Sequence, residues 1–164
     1  MMGAGKTTIA KAISELLTNY TLVDTDELIV QKEKCSINEI FSTKGEAKFR
    51  EIETSVLQSV LNNDNQIIST GGGIILSDFN TKLLKDKSII FYLYADEDTL
   101  YNRVKSNKDR PLLNNTDIRD KIHKLMAQRH SKYEQAHFSI DTREKQPKDI
   151  AVEIIRKSGI NGNN

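Results

Sequence analysis

A glycine-rich stretch close to the start of the chain has the composition of a phosphate-binding loop. The stretch matches the end of the pattern G-x-x-x-x-G-K-[ST] through Gly3, Ala4, Gly5, Lys6, Thr7 and Thr8. Backbone N–H groups in such a turn form a concave anion site, and the N-terminus of the following helix faces the same anion. Lys6 would then contact the β- and γ-phosphates of a nucleotide, and the Thr7 hydroxyl would bind Mg²⁺. The alternative is an ordinary helix start at a flexible terminus.

Two carboxylates follow the first predicted strand, residues 21–23. Asp24 and Asp26 are two positions apart, so Asp24 can hold Mg²⁺ through water while Asp26 accepts a proton from a substrate hydroxyl. The other interpretation is that Asp24 caps a helix and Asp26 is an acid of its first turn, with no chemistry. The position of the pair after a phosphate-loop helix favours the functional interpretation.

An arginine lies between two glutamates on a predicted helix. Glu46 precedes Arg50 by four residues and Glu53 follows it by three, which places the three side chains on one helix face. One interpretation is a surface ion-pair ladder worth about 0.2–0.5 kcal/mol per pair. The other is that Glu53 holds the guanidinium so that its planar fork can bind a substrate carboxylate. These residues alone favour the first interpretation.

Three consecutive glycines follow the second predicted strand, residues 66–70. Gly71, Gly72 and Gly73 cost conformational entropy on folding, and they allow close approach of the backbone to a neighbouring group. Directly after a buried strand, this pattern favours a ligand-contact loop over a merely flexible turn.

A polar stretch later in the chain has no apolar periodicity, and we expect a mobile lid at about residues 107–116. Arg110 on this lid would stabilise charge on a transferred phosphoryl group. Arg103 would stack on a base or contact phosphate. The alternative is a solvated basic loop. Arg129, at the end of the next predicted helix, is equally explained by compensation of the helix dipole.

Short apolar runs alternate with helical patterns along the chain. The predicted strands are residues 21–23, 66–70, 88–93 and 137–140. Apolar residues at helical spacing fill the gaps, for example Phe49, Ile52, Val56 and Val60. This alternation predicts an α/β fold in which a parallel sheet has helices on both faces. Because ligands of such sheets bind at the carboxyl ends of the strands, the polar motifs above fall where a site is expected.

Composition limits the possible functions. With 164 residues the chain is long enough for one domain with a substantial core, and we expect it over residues 1–158, with a frayed tail at 159–164. The formal net charge of +1 provides no general attraction to nucleic acid or membrane. No apolar run approaches the ~20 residues that span a bilayer, and Cys35 is the single cysteine. We therefore expect a cytoplasmic protein without nucleic-acid or membrane partners.

Taken together and in this order, the motifs resemble those of the shikimate kinase family, small P-loop kinases of the nucleoside-monophosphate-kinase-like class. The resemblance runs from Gly3 to about Lys157. After the loop come motifs similar to the family's D-[ST]-D, F-R-x-x-E, G-G-G, R-P-L-L and R-x-x-x-Y, which here begin at Asp24, Phe49, Gly71, Arg110 and Arg129. Each motif is weak alone, but the ordered set separates this family from gluconate and adenylate kinases.

The resemblance implies a three-layer α/β fold and a reaction in which ATP phosphorylates the 3-hydroxyl of shikimate, giving ADP and 3-phosphoshikimate for aromatic amino-acid biosynthesis. It implies catalytic roles for Lys6, Asp26 and Arg110. It implies shikimate binding by Asp26, Arg50, Gly72, Gly73 and Arg129. It implies nucleotide binding by Gly3, Ala4, Gly5, Lys6, Thr7, Thr8, Arg103, Arg110, Arg143 and Pro147. It implies Mg²⁺ binding by Thr7 and Asp24, in a protein expected to be a monomer with small-molecule partners.

The sequence departs from the family at its start. Family members carry an apolar strand and a glycine ahead of the loop, and the strand is normally central in a five-stranded sheet. Here the first loop glycine would fall one position before Met1. Three explanations stay open. The first is that the given sequence omits residues, and the second is that another segment or a second chain fills the place of the strand. The third is that the chain is a degraded, weakly stable relative of the family. The intact downstream motifs favour the first, and restoring such a strand is expected to raise both the melting temperature and the activity.

Two other functions remain open at this point. One is a kinase for a different small polyol acid such as gluconate, which acceptor choice would distinguish. The other is a nucleotide-binding relative that has lost turnover, which would bind ATP without releasing ADP in response to shikimate.

Overall fold

The structure, a computed structural model, describes residues 1–105 and 115–160, with the side chains of residues 115–117 excepted. The strands are β1 (Thr21–Asp24), β2 (Gln66–Ser69), β3 (Phe91–Tyr94) and β4 (Phe138–Asp141). The helices are α1 (Lys6–Leu16), α2 (Thr25–Glu33), α3 (Ile37–Val60), α4 (Asp78–Lys87), α5 (Glu97–Lys105), α6 (Asn115–Tyr133) and α7 (Pro147–Ser158), with a 3₁₀ turn at Ile74–Leu76. Arg110 and the expected lid at 107–116 lie outside the described residues, apart from the backbone of 115 and 116, and so do residues 161–164 of the expected tail.

The strands form two parallel pairs. Thr21 lies opposite Gln66 at the start of the β1–β2 pair, and Phe91 lies opposite Phe138 at the start of the β3–β4 pair. Within the described part of the chain, no ladder of hydrogen bonds joins β2 to β3. The predicted α/β fold with parallel strands between helices is confirmed, and its strands belong to two separate hydrogen-bonded pairs.

Strand β3 begins three residues later than the apolar run predicts. Ser88 still ends helix α4, because its N–H and its hydroxyl both donate to the Leu84 carbonyl. Ile89 is exposed, and the N–H of Ile90 donates to Nδ1 of His137 at 3.0 Å. Apolar composition therefore predicted the strand itself but not its first residue, since local hydrogen bonds decide where pairing starts.

Helix α3 is two helical segments joined at Gly45. Its N-terminus is fixed by a capping box, in which the Ser36 hydroxyl accepts from the Glu39 N–H and the Glu39 carboxylate accepts from the Ser36 N–H. Gly45 has φ 79° and ψ 168°, outside the helical region. After this kink the predicted apolar face is buried, through Phe49, Ile52, Val56 and Val60. No helix within the described ranges is long and apolar enough to span a bilayer.

Buried apolar side chains form three clusters. The largest joins α1 and α7 to β3, β4, α5 and α6, the second joins α2 to α3, and the third lies between α3, the 3₁₀ turn and α4. Side chains of all four strands belong to these clusters or pack against them.

A cavity of about 710 Å³ lies between the two strand pairs. It borders residues 66–72 and 89–93, together with side chains of α1, α4 and α7.

Candidate active site

The loop before α1 has the backbone geometry of an anion site. Gly3 and Gly5 have φ values of 72° and 82°, which other residues rarely adopt. A Cβ on Gly3 would lie 2.9 Å from the Val104 side chain, so the loop packs tightly on α5. Gly5, the residue before the helix, supplies no side chain to cap the first N–H groups of α1. A phosphate fits this helix end, because it would accept from those amides.

Thr7 and Asp24 meet at the edge of this loop. The Thr7 hydroxyl donates to the Asp24 carboxylate at 3.3 Å. The other Asp24 oxygen accepts from the Asp26 N–H at 3.0 Å and caps α2. The two interpretations of Asp24 are therefore compatible, since one oxygen caps the helix and the other faces Thr7. A hydroxyl beside a carboxylate is a donor set of hard oxygen atoms, which suits Mg²⁺.

The Met1 backbone lies inside the site. Its carbonyl accepts a hydrogen bond from Lys6 Nζ at 2.8 Å. Burial, together with the positive charges of Lys6 and Arg129, lowers the pKa of the Met1 amine from 8.0 to about 4, and burial is the largest cause. The amine is therefore neutral at pH 7 in the folded chain.

Arg50 is held by two carboxylates on α3. Its Nη1 donates to Glu53 at 2.7 Å and its Nη2 donates to Glu46 at 3.1 Å. The Glu53 side chain is only 2% exposed, whereas that of Glu46 is 63% exposed. Burial raises the pKa of Glu53, and the pairing with Arg50 opposes that rise. The buried carboxylate of Glu53 thus holds the Arg50 guanidinium in place. This arrangement differs from the surface ion-pair ladder that the sequence alone favoured.

The three glycines after β2 provide room for charged side chains. A Cβ on Gly71 would lie 2.8 Å from Asp26 Oδ1, and a Cβ on Gly73 would lie 2.6 Å from Arg50 Nη1. Neither glycine has a positive φ, so an added Cβ would press on these side chains without straining the backbone. The loop brings Asp26 and Arg50 together at the carboxyl ends of β1 and β2.

Arg129 and Tyr133 converge on the carbonyl of Gly72. Arg129 Nη1 donates to it at 3.2 Å and the Tyr133 hydroxyl donates at 2.6 Å. The Tyr133 ring stacks on Tyr92, with centroids 4.7 Å apart and planes 7° apart. Sequence reasoning noted Tyr133 only as part of a motif, and no local signal shows that its hydroxyl reaches a residue 61 positions away.

The residues expected near adenine are held by the end of β4. Arg103 donates to the Thr142 hydroxyl at 3.0 Å and to the Thr142 carbonyl at 2.6 Å. Arg143 donates to Asp141 and Asp96, and its hydrogen bonds lower the pKa of Asp141 to about 2.

Pro147 is the first residue of α7 and lines a cleft of about 470 Å³, into which Thr7 and Thr8 also face. The structure thus brings Pro147 to the phosphate loop, while Arg103 and Arg143 contact residues at the ends of the strands.

Each of the three histidines contacts another group of the protein. His137 accepts from the Ile90 N–H, and His123 and His130 contact the exposed glutamates Glu97 and Glu134. Within residues 1–105 and 118–160, no group of three or more His, Cys, Asp or Glu side chains could hold a metal ion.

Sequence comparisons identify the chain's relatives. The sequence model of a family described as shikimate kinase matches residues 2–158. A shikimate kinase of Caldicellulosiruptor bescii is 41% identical over 154 residues, which cover 94% of this chain and 89% of that relative. A shikimate kinase of Bacillus cereus is 43% identical over 159 residues, which cover 97% of this chain and 94% of that relative.

Solved structures agree with the sequence comparisons. A shikimate kinase of Acinetobacter baumannii in complex with shikimate has a TM-score of 0.85 at 36% identity, covering 95% of this chain and 87% of that one. A shikimate kinase of Bacteroides thetaiotaomicron has a TM-score of 0.90 at 28% identity, covering 97% and 94%. Because the family match spans most of the chain and the relatives agree in sequence and in fold, the chain belongs to the shikimate kinase family of ATP-dependent kinases.

Proposed function

We infer that the chain phosphorylates shikimate with ATP and Mg²⁺, and we propose how its residues divide that work. The comparisons name shikimate kinases, which favours this activity over phosphorylation of gluconate. The observation that carries the proposed division is that Asp26 and Arg50 lie against the two ends of one glycine loop, at Gly71 and at Gly73. A base and a fixed cation there suit an acceptor that bears both a hydroxyl and a carboxylate.

The nucleotide would bind along the N-terminus of α1. Backbone amides of Gly3, Ala4, Gly5 and the first helical turn would hold the β- and γ-phosphates, with Lys6 contributing positive charge. Thr7 and Asp24 would hold Mg²⁺, which when bound neutralises charge on the phosphate oxygens. Arg110 would add charge from the lid, and we propose adenine contacts for Arg103, Arg143 and Pro147.

Shikimate would bind between α2, α3 and the glycine loop. The guanidinium groups of Arg50 and Arg129 would bind its carboxylate, with Gly72 and Gly73 forming the floor. Arg129 Nε is buried and has no hydrogen-bond partner among the described residues, so the guanidinium keeps donor capacity. Asp26 would accept the proton of the 3-hydroxyl as that oxygen attacks the γ-phosphorus, and ADP would leave. Phosphoryl transfer then needs little from the protein beyond alignment and charge stabilisation.

The direct test is shikimate-dependent ADP release by the 164-residue chain with ATP and Mg²⁺. Turnover with shikimate, and none with gluconate, is the expected result. ATP binding without turnover, in a chain shown to be folded by circular dichroism, would instead identify a nucleotide-binding relative that has lost activity.

Removing the Tyr133 hydroxyl should weaken shikimate binding. Tyr133→Phe keeps the ring that stacks on Tyr92 but loses the hydrogen bond to the Gly72 carbonyl. Such a bond contributes about 1 kcal/mol, so the KM for shikimate should rise about fivefold while the KM for ATP stays constant. Steady-state kinetics would measure both values, and Tyr92→Phe is the matched control. An equal rise in both KM values would indicate a general loss of structure.

We further propose that the protein acts as a monomer in the cytoplasm on small-molecule substrates only. The near-neutral net charge and the single, half-buried cysteine support this proposal. Size-exclusion chromatography with light scattering would test the oligomeric state.

A further inference from the structure

The kinked part of helix α3 has no buried side chain of its own. Ile40 and Phe49 are both buried, whereas every residue from 41 to 48 is exposed. These residues, which include the kink at Gly45, form the bend of α3. The apolar core therefore fixes α3 before and after the bend but not within it. The path of the bend depends on contacts that its side chains make at the surface.

An ion pair joins the bend to the end of α2. Lys44, directly before Gly45, donates from its Nζ to Glu33 Oε2 at 2.6 Å. Glu33 is the last residue of α2, and its side chain is only 16% exposed. The adjacent Lys32 donates to Ser55 at 3.1 Å, beyond the bend. The last turn of α2 thus contacts α3 on both sides of the kink.

Both members of this ion pair carry their charge at neutral pH. The hydrogen bond from Lys44 lowers the pKa of Glu33, and the same bond raises the pKa of Lys44. The pair connects two different helices, so it restricts how they lie relative to each other. A pair within one helix acts differently, because it joins side chains whose spacing the helix already sets.

The bend contacts the surroundings of Arg50 at two points. The Phe41 ring packs on the Phe49 ring with centroids 4.5 Å apart, and the Arg50 guanidinium carbon lies 5.1 Å from the centre of the Phe49 ring. Glu46, the residue after the kink, accepts from Arg50 Nη2 at 3.1 Å. A shift of the bend would therefore disturb both the aromatic ring and the carboxylate that the guanidinium contacts.

We propose that Lys44 and Glu33 are positioning residues for Arg50. Their ion pair fixes the bend, and the bend fixes the guanidinium through Phe41 and Glu46. The consequence for shikimate binding rests on the proposed function, in which Arg50 binds the substrate carboxylate. The consequence for Arg50 itself does not, since it concerns the protein without substrate.

Charge reversal would test the proposal. Lys44→Glu and Glu33→Lys each break the pair, and the double variant restores it with the charges exchanged. The matched control set is Lys48→Glu, Glu51→Lys and their double variant, which make the same changes in charge. That control pair lies within α3, with side chains 55% and 66% exposed.

Two measurements would be made on every variant. The first is the rate at which the Arg50 guanidinium protons exchange with water, followed by NMR on the ligand-free chain with labelled arginine. The signal is assigned by its loss in Arg50→Lys. The second is the KM for shikimate and for ATP, which separates an effect on the acceptor site from a general one.

We expect each single variant of Lys44 and Glu33 to speed the exchange at Arg50, and to raise the KM for shikimate, by about three- to fivefold. The KM for ATP should stay within about twofold, and the double variant should recover most of the loss. The control set should leave all three quantities unchanged.

Unchanged exchange at Arg50 in the single variants would overturn the proposal, and so would a double variant without recovery. Equal effects in the two sets would show a general response to charge and would also overturn it. Faster exchange at Arg50 with an unchanged KM for shikimate would support the positioning role, but it would remove Arg50 from shikimate binding. The failure of this inference and the failure of the proposed function can thus be told apart.

Discussion

Replacing Asp26 with asparagine should lower kcat at least a hundredfold while the KM for ATP changes less than threefold. The carboxylate lies at the Gly71 end of the glycine loop, where a Cβ would come within 2.8 Å of it. Asparagine keeps the shape but cannot accept the proton of the attacking hydroxyl, and a general base contributes about 10²–10⁴ in rate. At the start of α2 the Asp26 N–H donates to the Asp24 carboxylate, a bond that the substitution leaves in place, so the fold should be retained.

The matched control is Asp86→Asn, which removes an exposed carboxylate from α4. Its kinetic constants should equal those of the unchanged protein. A kcat for Asp26→Asn within threefold of the original would remove Asp26 from the role of base. If the KM values for ATP and for shikimate both rose and the melting temperature fell, the loss of activity would reflect a folding defect instead.

Arg50→Lys should raise the KM for shikimate tenfold or more with little effect on the KM for ATP. Lysine keeps the positive charge next to Glu53 but loses the planar fork that binds a carboxylate through two hydrogen bonds. The choice of lysine matters because Arg50→Ala would leave Glu53, whose side chain is 2% exposed, as an unpaired buried charge. Breaking such a pair costs about 3–5 kcal/mol of stability. A loss of shikimate binding in that variant could then not be distinguished from a loss of folding.

Arg156→Lys is the control for this substitution, because Arg156 is exposed near the end of α7. Shikimate titrations followed by calorimetry would complement the kinetics, since they report affinity without turnover. Unchanged shikimate affinity in Arg50→Lys would mean that Arg50 only neutralises Glu53 and does not contact the substrate.

The class of fold could be predicted because apolar runs and helical spacing are local properties of the sequence. All four predicted strands exist, and the apolar face of α3 from Phe49 onwards is buried as expected. The pairing of strands could not be predicted in this way, because hydrogen-bond partners come from segments far apart in the chain. Periodicity therefore could not show that β2 and β3 remain unpaired to each other, and it placed the start of β3 too early.

In the candidate site, too, local features could be predicted from the sequence and contacts between distant residues could not. Residue types and their order led to the phosphate loop and to the pair Asp24 and Asp26, because these motifs are contiguous. The environment of Glu53 could not be predicted, since the spacing of three residues to Arg50 is the same on a buried and on an exposed helix face. The contact between Tyr133 and Gly72 also needed the folded chain. Roles for individual residues stay predictions until the variants are measured.

The kink at Gly45, in the helix that carries Arg50, depends on the chirality of the residue at this position. No neighbouring atom lies within 4 Å of the place where a Cβ would stand, so a side chain would have room. The backbone angles are nevertheless essentially restricted to glycine among L-residues. Reversing the sign of both angles gives an ordinary extended conformation, which a residue of the opposite hand adopts without strain. A semisynthetic chain with D-alanine at this position should therefore keep the bend that L-alanine would strain, because the constraint comes from chirality and not from size.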